Sequence, residues 1–261
     1  MSKPELRRPA EVHYPESDGK PVAEADLHRN LLLELVDTAD GYFEDDPDVY
    51  VSGNLLIYYV EGHPEECVAP DVFAVRGVEK KLRPIYKVWE EGKGPDVVVE
   101  VTSPSTHRED LQEKRTLYER LGVREYFIFD PEGRRFQPPF RGYRLEKGNL
   151  RPVPPDRVEG GKTVYRSEVL GLELHGGGPS LRWVDPATGR LLPNRKELAR
   201  LAEEMLHKVE REQAKGEQER ARAEKERARA DRAEAELARL RAEISTPRDG
   251  REQGSDDRPP T

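Results

Sequence analysis

Apolar positions change their spacing several times along the chain, and each change marks an element. "EADLHRNLLLELVDTADGYF" carries Leu27, Leu31, Leu32 and Leu35 at helical spacing with Glu24 and Asp26 at its start, which predicts an amphipathic helix over residues 24–41. Three short runs follow, "DVYVSG", "NLLIYYVEG" and "DVFAVRG". They are β-branched and aromatic, and Gly, Pro, Asn and Asp bound them, so they predict hairpin or meander strands. "PDVVVEVTSP" predicts a central strand, "THREDLQEKRTLYERLG" a helix, and "VREYFIFDP" another strand. In the helix Thr106 is a candidate N-cap, Glu109 and Asp110 lie in the first turn, and Gly122 sits at the C-terminal end. This order implies an α/β fold, a mixed sheet with helices against it. Residues 140–193 read as short strands and turns, a β appendage continuing the same domain, in which "HGGGPS" is a hairpin connection rather than a phosphate loop, for it lacks the Lys-Ser/Thr and the helix.

Beyond residue 195 the period becomes seven. With Val209 at position a, Ala202, Gly216, Ala223, Ala230, Leu237 and Ile244 also fall at a, while Leu198, Met205, Glu212, Glu219, Glu226, Ala233 and Leu240 fall at d. One frame persists throughout, which predicts a helical coiled-coil arm over 196–244 and a homo-oligomer formed through it. Three glutamates at d and a glycine at a weaken its middle, and a single helix laced by alternating charges is the alternative. The tail from 245 to 261 has few apolar residues and predicts disorder, and residues 1–19 form a polar lead-in.

Composition narrows the functional classes. Charged residues make up 37% and hydrophobic ones 34%, too polar for one uniform globule. Between Lys196 and Glu243 there are 13 basic and 13 acidic residues, so the net charge of -8 belongs to the rest of the chain. An acidic globular part argues against a broad basic face for non-specific nucleic-acid binding, because phosphate affinity rests on Lys and Arg. Cys67 is the single cysteine, which excludes an intrachain disulfide and suits a reducing, cytoplasmic setting. No apolar run approaches the roughly 18 residues of a membrane span, so neither export nor a membrane is expected.

One residue stands out chemically. Glu100 interrupts "VVVEV", a strand whose composition suits burial on both faces, and an unpartnered carboxylate there costs several kcal/mol or holds its proton. Glu100 and Thr102 should face the same way, roughly 6.6 Å apart at strand rise. Asp71 opens "PDVFAV", and an adjacent strand would bring it to Glu100. Two converging carboxylates repel unless a divalent cation joins them, and Mg²⁺ is commonly held by one or two carboxylates with several waters. Lys114, about 7.5 Å along the helix axis from Glu109, could return an ammonium over the strand's end to orient water or offset phosphate charge. Singly these residues have plainer readings: Asp71 as a strand-entry turn, Lys114 as an i,i+4 partner of Asp110, His28 as a boundary polar residue.

Taken together, "APDVFAV" and "PDVVVEVTSPSTHREDLQEKRTLYERLGVREYFIFDP" resemble the Uma2 family of restriction-endonuclease-like proteins, a branch of the PD-(D/E)XK nuclease superfamily, over about residues 24–150. The matching features are Pro70-Asp71, Glu100-Val101, Ser103 to Thr106, Asp110, Lys114, Tyr118, Gly122 and the "EYFIFDP" strand. The resemblance implies a restriction-endonuclease-like domain over residues 20–193, with its core at about 24–150 and the β appendage at 140–193, and Mg²⁺- or Mn²⁺-dependent endonucleolytic hydrolysis of DNA phosphodiesters. It transfers Asp71 and Glu100 as metal ligands. The superfamily's lysine two positions after the second acid is here Thr102, an accessory candidate, and Lys114 on the following helix would replace it. His28 resembles a histidine recurrent in the family. The alternative is a catalytically silent fold serving interaction or DNA binding through its arm, and a phosphatase or RNase using the same site is a third reading.

Overall fold

The computed structural model describes residues 12–17, 26–102 and 112–245. The chain divides between Leu198 and Ala199 into two units. The first holds three sheets and three helices among its described residues.

Helix α1 runs from Asp26 to Tyr42 and buries Leu31, Leu32, Leu35, Thr38 and Ala39, the stripe its spacing predicts. Leu27, expected on that stripe, is exposed. Then come β1 (Val49–Ser52), β2 (Ile57–Tyr58), β3 (Cys67–Val68), β4 (Val72–Arg76), β5 (Tyr86–Lys87), α2 (Val88–Glu91) and β6 (Val97–Val101). The predicted meander is replaced by non-local pairing. β1 pairs directly with β4, whereas β2 pairs with β3 and β5 in a separate three-stranded sheet. Asn54 causes the break: its φ of 51° turns the chain out of the strand, and its N–H bonds Pro70 O at 2.8 Å instead of continuing a hairpin.

After β6 the chain reaches α3 (Lys114–Arg120) and returns as β7 (Glu125–Phe129), parallel to β6. Parallel neighbours require such a crossover, which sets α3 against the sheet. The helix stops at Leu121, where Gly122 takes a φ of 74° that a side chain would resist. Thr106, Glu109 and Asp110, expected in the helix's first turn, lie outside the described residues.

The central sheet has the order β1-β4-β6-β7-β8-β9, with β8 at Phe140–Glu146 and β9 at Asn149–Val153. Every residue of β6 and β7 is buried, as the apolar runs predict for strands covered on both faces. Val97, Val99, Val101, Phe127 and Phe129 face a core shared with α1, and Val98, Tyr126 and Ile128 face a second core shared with Tyr118 of α3 and with the small sheet.

Residues 140–193, read from the sequence as an appendage, divide between layers. β8 and β9 extend the central sheet, and β10 (Arg157–Glu159), β11 (Lys162–Arg166), β12 (Glu173–Gly177), β13 (Ser180–Asp185) and β14 (Arg190–Leu191) form a second sheet. Gly178 and Pro179 connect β12 to β13, and Gly178 has a φ of 54°, so "HGGGPS" is the expected hairpin. Leu172, Leu174, Leu181 and Trp183 of this region join the α1 core, and the Trp183 indole N–H donates to Leu35 O at 3.1 Å. Two glycines permit the close approach of the layers. A Cβ on Gly142 would lie 2.8 Å from the Tyr165 ring, and one on Gly176 would lie 2.6 Å from the Phe140 ring. Gly142→Ala is expected to cost about 1–3 kcal/mol through overpacking. Chemical denaturation would read this as a lower midpoint with unchanged slope, and a wild-type midpoint would show that the layers have slack there.

Helix α4 spans Arg195–Ser245, and Asn194 caps it, with Oδ1 accepting the Glu197 N–H at 3.0 Å. Among the described residues no helix is long and apolar enough to cross a membrane.

Candidate active site

β6 presents Glu100 to the core on the α3 side, and only 1% of the residue is exposed. α3 answers it with two groups. The Tyr118 hydroxyl donates to Glu100 Oε1 at 2.5 Å, and Lys114 Nζ donates to Oε2 at 3.0 Å. Lys114 and Tyr118 are four residues apart, so they share a helix face and reach one carboxylate together. Burial raises the Tyr118 phenol well above its ordinary value of 10, and the Glu100 charge adds to this. Tyr118 therefore stays a neutral donor across the physiological range, fixing the orientation of the acid.

Asp71 stands one position before β4. The β4–β6 register pairs Val72 with Val99, and one further step sets Asp71 opposite Glu100. Strand alternation also gives the two the same face, because Phe73 and Val98 lie in the core on the α3 side. Opposed side chains of this kind have Cβ atoms about 4.5–5.5 Å apart. Asp71 Oδ2 accepts the Val101 N–H at 2.7 Å, and Oδ1 lies 3.4 Å from Nε2 of His28 on α1. Two elements, the end of β6 and the first turns of α1, thus hold this carboxylate. Gly53 lies behind it, where a Cβ would stand 2.2 Å from Asp71 O.

Thr102 follows β6 and is buried, with its N–H on Phe129 O at 2.8 Å. Its Oγ1 has no hydrogen-bond partner among the described residues. Asp71, Glu100, Lys114, His28 and Thr102 therefore converge on one end of the β4–β6 pair. Tyr118 completes the group. Its sequence signal is the four-residue step from Lys114, legible only once Lys114 is assigned to face the strand. Another Pro-Asp pair, Pro95-Asp96, opens the far end of β6. Asp96 Oδ2 accepts from Arg76 N at 2.8 Å and Lys93 Nζ at 2.6 Å, so that acid ties strands together.

Among the described residues no group of three or more His, Cys, Asp and Glu side chains forms a ready-made metal cage. A hard cation does not need one, since Mg²⁺ is usually bound by one or two carboxylates with waters and phosphate oxygens in the remaining positions. Carboxylate oxygens carry two lone pairs each, so a carboxylate can accept hydrogen bonds such as those from Val101, Lys114 and Tyr118 and still be a metal ligand. The Thr102 hydroxyl, two residues beyond Glu100, is a buried neutral oxygen with no hydrogen-bond partner among the described residues. This donor set fits a divalent metal of that type.

A family model described as Uma2, "Putative restriction endonuclease", matches residues 4–176. A solved structure described as a "putative nuclease belonging to DUF820" from Anabaena variabilis is similar at 15% identity and a TM-score of 0.40, covering 57% of this chain and 83% of that one. No curated protein matches the chain.

Proposed function

Because the chain belongs to the Uma2 family, we propose that it is a divalent-metal-dependent endonuclease that hydrolyses DNA phosphodiester bonds. The observation that carries this reading is the register: it sets Asp71 opposite Glu100 on one face, with the Lys114 ammonium 3.0 Å from the second acid. Asp71 and Glu100 would hold Mg²⁺ or Mn²⁺, which when bound lowers the pKa of water and offsets charge on the phosphoryl group. The chain's own part is orientation. Tyr118 fixes Glu100, while the Val101 N–H and His28 fix Asp71. Lys114 supplies a positive charge that stabilises the phosphorane-like transition state or orients the attacking water. Thr102, at the position of the superfamily's usual lysine, offers a hydroxyl for the same water or for a phosphate oxygen.

The direct test is nicking of supercoiled plasmid across a titration of Mg²⁺ and Mn²⁺. Nicked and linear products should rise with metal and disappear with a chelator. No cleavage with either metal would leave the second reading, a silent nuclease fold serving as a scaffold. The net charge of -8 favours that rival, since it offers no broad basic face to a duplex.

The arm is assigned separately, to pairing with a second copy of this chain. Leu198, Met205, Val209, Leu237 and Leu240 of α4 are exposed and share the a and d positions of one heptad frame. The cut should follow Leu198, because Glu197 accepts from Arg182 Nη2 at 2.8 Å and thus belongs to the first unit. Truncation there is expected to leave the first unit folded and to lower the particle mass in light scattering. An unchanged mass would remove the pairing.

A further inference from the structure

A cleft of about 580 Å³ opens between β3 and α3, lined among others by Tyr59, Cys67, Val68, Lys114, Leu117 and Arg120. We propose that this cleft receives an unpaired nucleotide of the substrate strand, directly beside the phosphate to be cut, so that the preferred substrate is single-stranded or locally opened DNA rather than intact duplex. The inference rests on the nuclease reading for its position beside the scissile bond, and on the cleft's own chemistry for its occupant.

Three observations point to that occupant. The volume lies within the range of about 300–1,000 Å³ that small-molecule sites occupy, enough for one nucleotide. The walls combine an aromatic ring and aliphatic side chains with two cations, the pairing that a flat base and its phosphate require. Lys114 lines the cleft and also donates to the buried Glu100 at 3.0 Å, so one side chain links the cleft to the acid behind it. Tyr59 is half-buried; burial, then the hydrogen bond to Glu66 and that residue's charge, push its phenol up to about 12, against the opposing pull of Arg120. A neutral aromatic wall with a guanidinium nearby results. Glu113 sets an exposed carboxylate on the same lip, so the cleft is not a general anion trap.

A base inside a duplex cannot enter such a cleft without leaving its stack, at a cost of a few kcal/mol that an unpaired strand avoids. A net charge of -8 supplies little general attraction for phosphate to offset this cost. Both considerations act in the same direction, toward unpaired DNA.

The test uses fluorescence anisotropy of the full chain with a labelled single-stranded oligonucleotide and the matching duplex, in chelator so that no cleavage intervenes. The single strand should bind at least about tenfold tighter. Tyr59→Ala should weaken it by about fivefold to a hundredfold, the loss that removal of one base–aromatic stack produces, and Tyr59→Phe should retain it. Arg120→Ala should weaken it as well, and circular dichroism of each variant shows that the fold persists. Equal affinity for strand and duplex, or wild-type binding by a folded Tyr59→Ala, overturns the cleft assignment even if plasmid is cleaved. Selective single-strand binding lost in Tyr59→Ala, in a protein that cleaves nothing, supports the cleft and overturns only the nuclease reading.

Discussion

Glu100→Gln is expected to lower metal-dependent DNA cleavage about a thousandfold, the order of loss that follows removal of a central electrostatic group from an active site. The substitution keeps the shape of the side chain and leaves an amide oxygen for the Tyr118 hydroxyl, but it removes the charge that would grip a cation. It also strips Lys114 of the carboxylate oxygen 3.0 Å from its ammonium. Breaking a buried ion pair by removing one partner costs about 3–5 kcal/mol, and here the lower end applies because 13% of the Lys114 side chain reaches solvent. Activity is therefore to be compared per folded molecule, at a temperature where circular dichroism shows the variant intact. Combining Glu100→Gln with Asp71→Asn should reduce the rate little beyond either change alone, since groups that act as one unit do not add. A folded Glu100→Gln protein that cleaves at the wild-type rate would remove the proposed site altogether.

Gly53→Ala should damage the same site without touching a charged group. A Cβ at this position would stand 2.2 Å from Asp71 O and 2.7 Å from Val36 Cγ2, and neither the strand entry nor the helix can yield easily. The adjacent Asn54 N–H is tied to Pro70 O at 2.8 Å, so the strain passes straight to Asp71 and its 2.7 Å bond with Val101. Stability should fall by about 3 kcal/mol, the upper range for overpacking. Cleavage should fall about a hundredfold, as expected when a reacting group is displaced by about 1 Å. Gly41→Ala is the matching control. A Cβ there meets nothing within 4 Å inside α1, so the change should hold or raise the thermal midpoint and leave cleavage unchanged. Wild-type cleavage by Gly53→Ala would show that the position of Asp71 does not matter.

The candidate site was legible in the sequence to different depths. Glu100 declares itself, because a charge within an apolar run has to be answered by something. Lys114 was ambiguous: from spacing alone it serves Asp110 on its own helix as well as it serves a strand. Tyr118 stands out in the sequence only as part of a motif, since a tyrosine on an amphipathic helix is ordinarily a core residue. Its contact with Glu100 exists because β6 and β7 run parallel, which forces the chain across the sheet and lays α3 over that face. Gly53 carried no sequence signal at all. Its importance is a distance of closest approach between segments that pair only in the folded chain.

Burial periods are local properties, so the α1 stripe, the doubly covered strands β6 and β7, the helix stop at Gly122, the 178–179 hairpin and the unbroken heptad frame of α4 all follow from the order of residues. Strand partnership is not local. That β1 joins β4 rather than β2, that residues 157–191 form a second sheet, and that Asp71 meets the end of β6 emerge only in the folded chain. Each depends on which apolar faces bury one another, and a chain's neighbours in space are not written in the order of its residues.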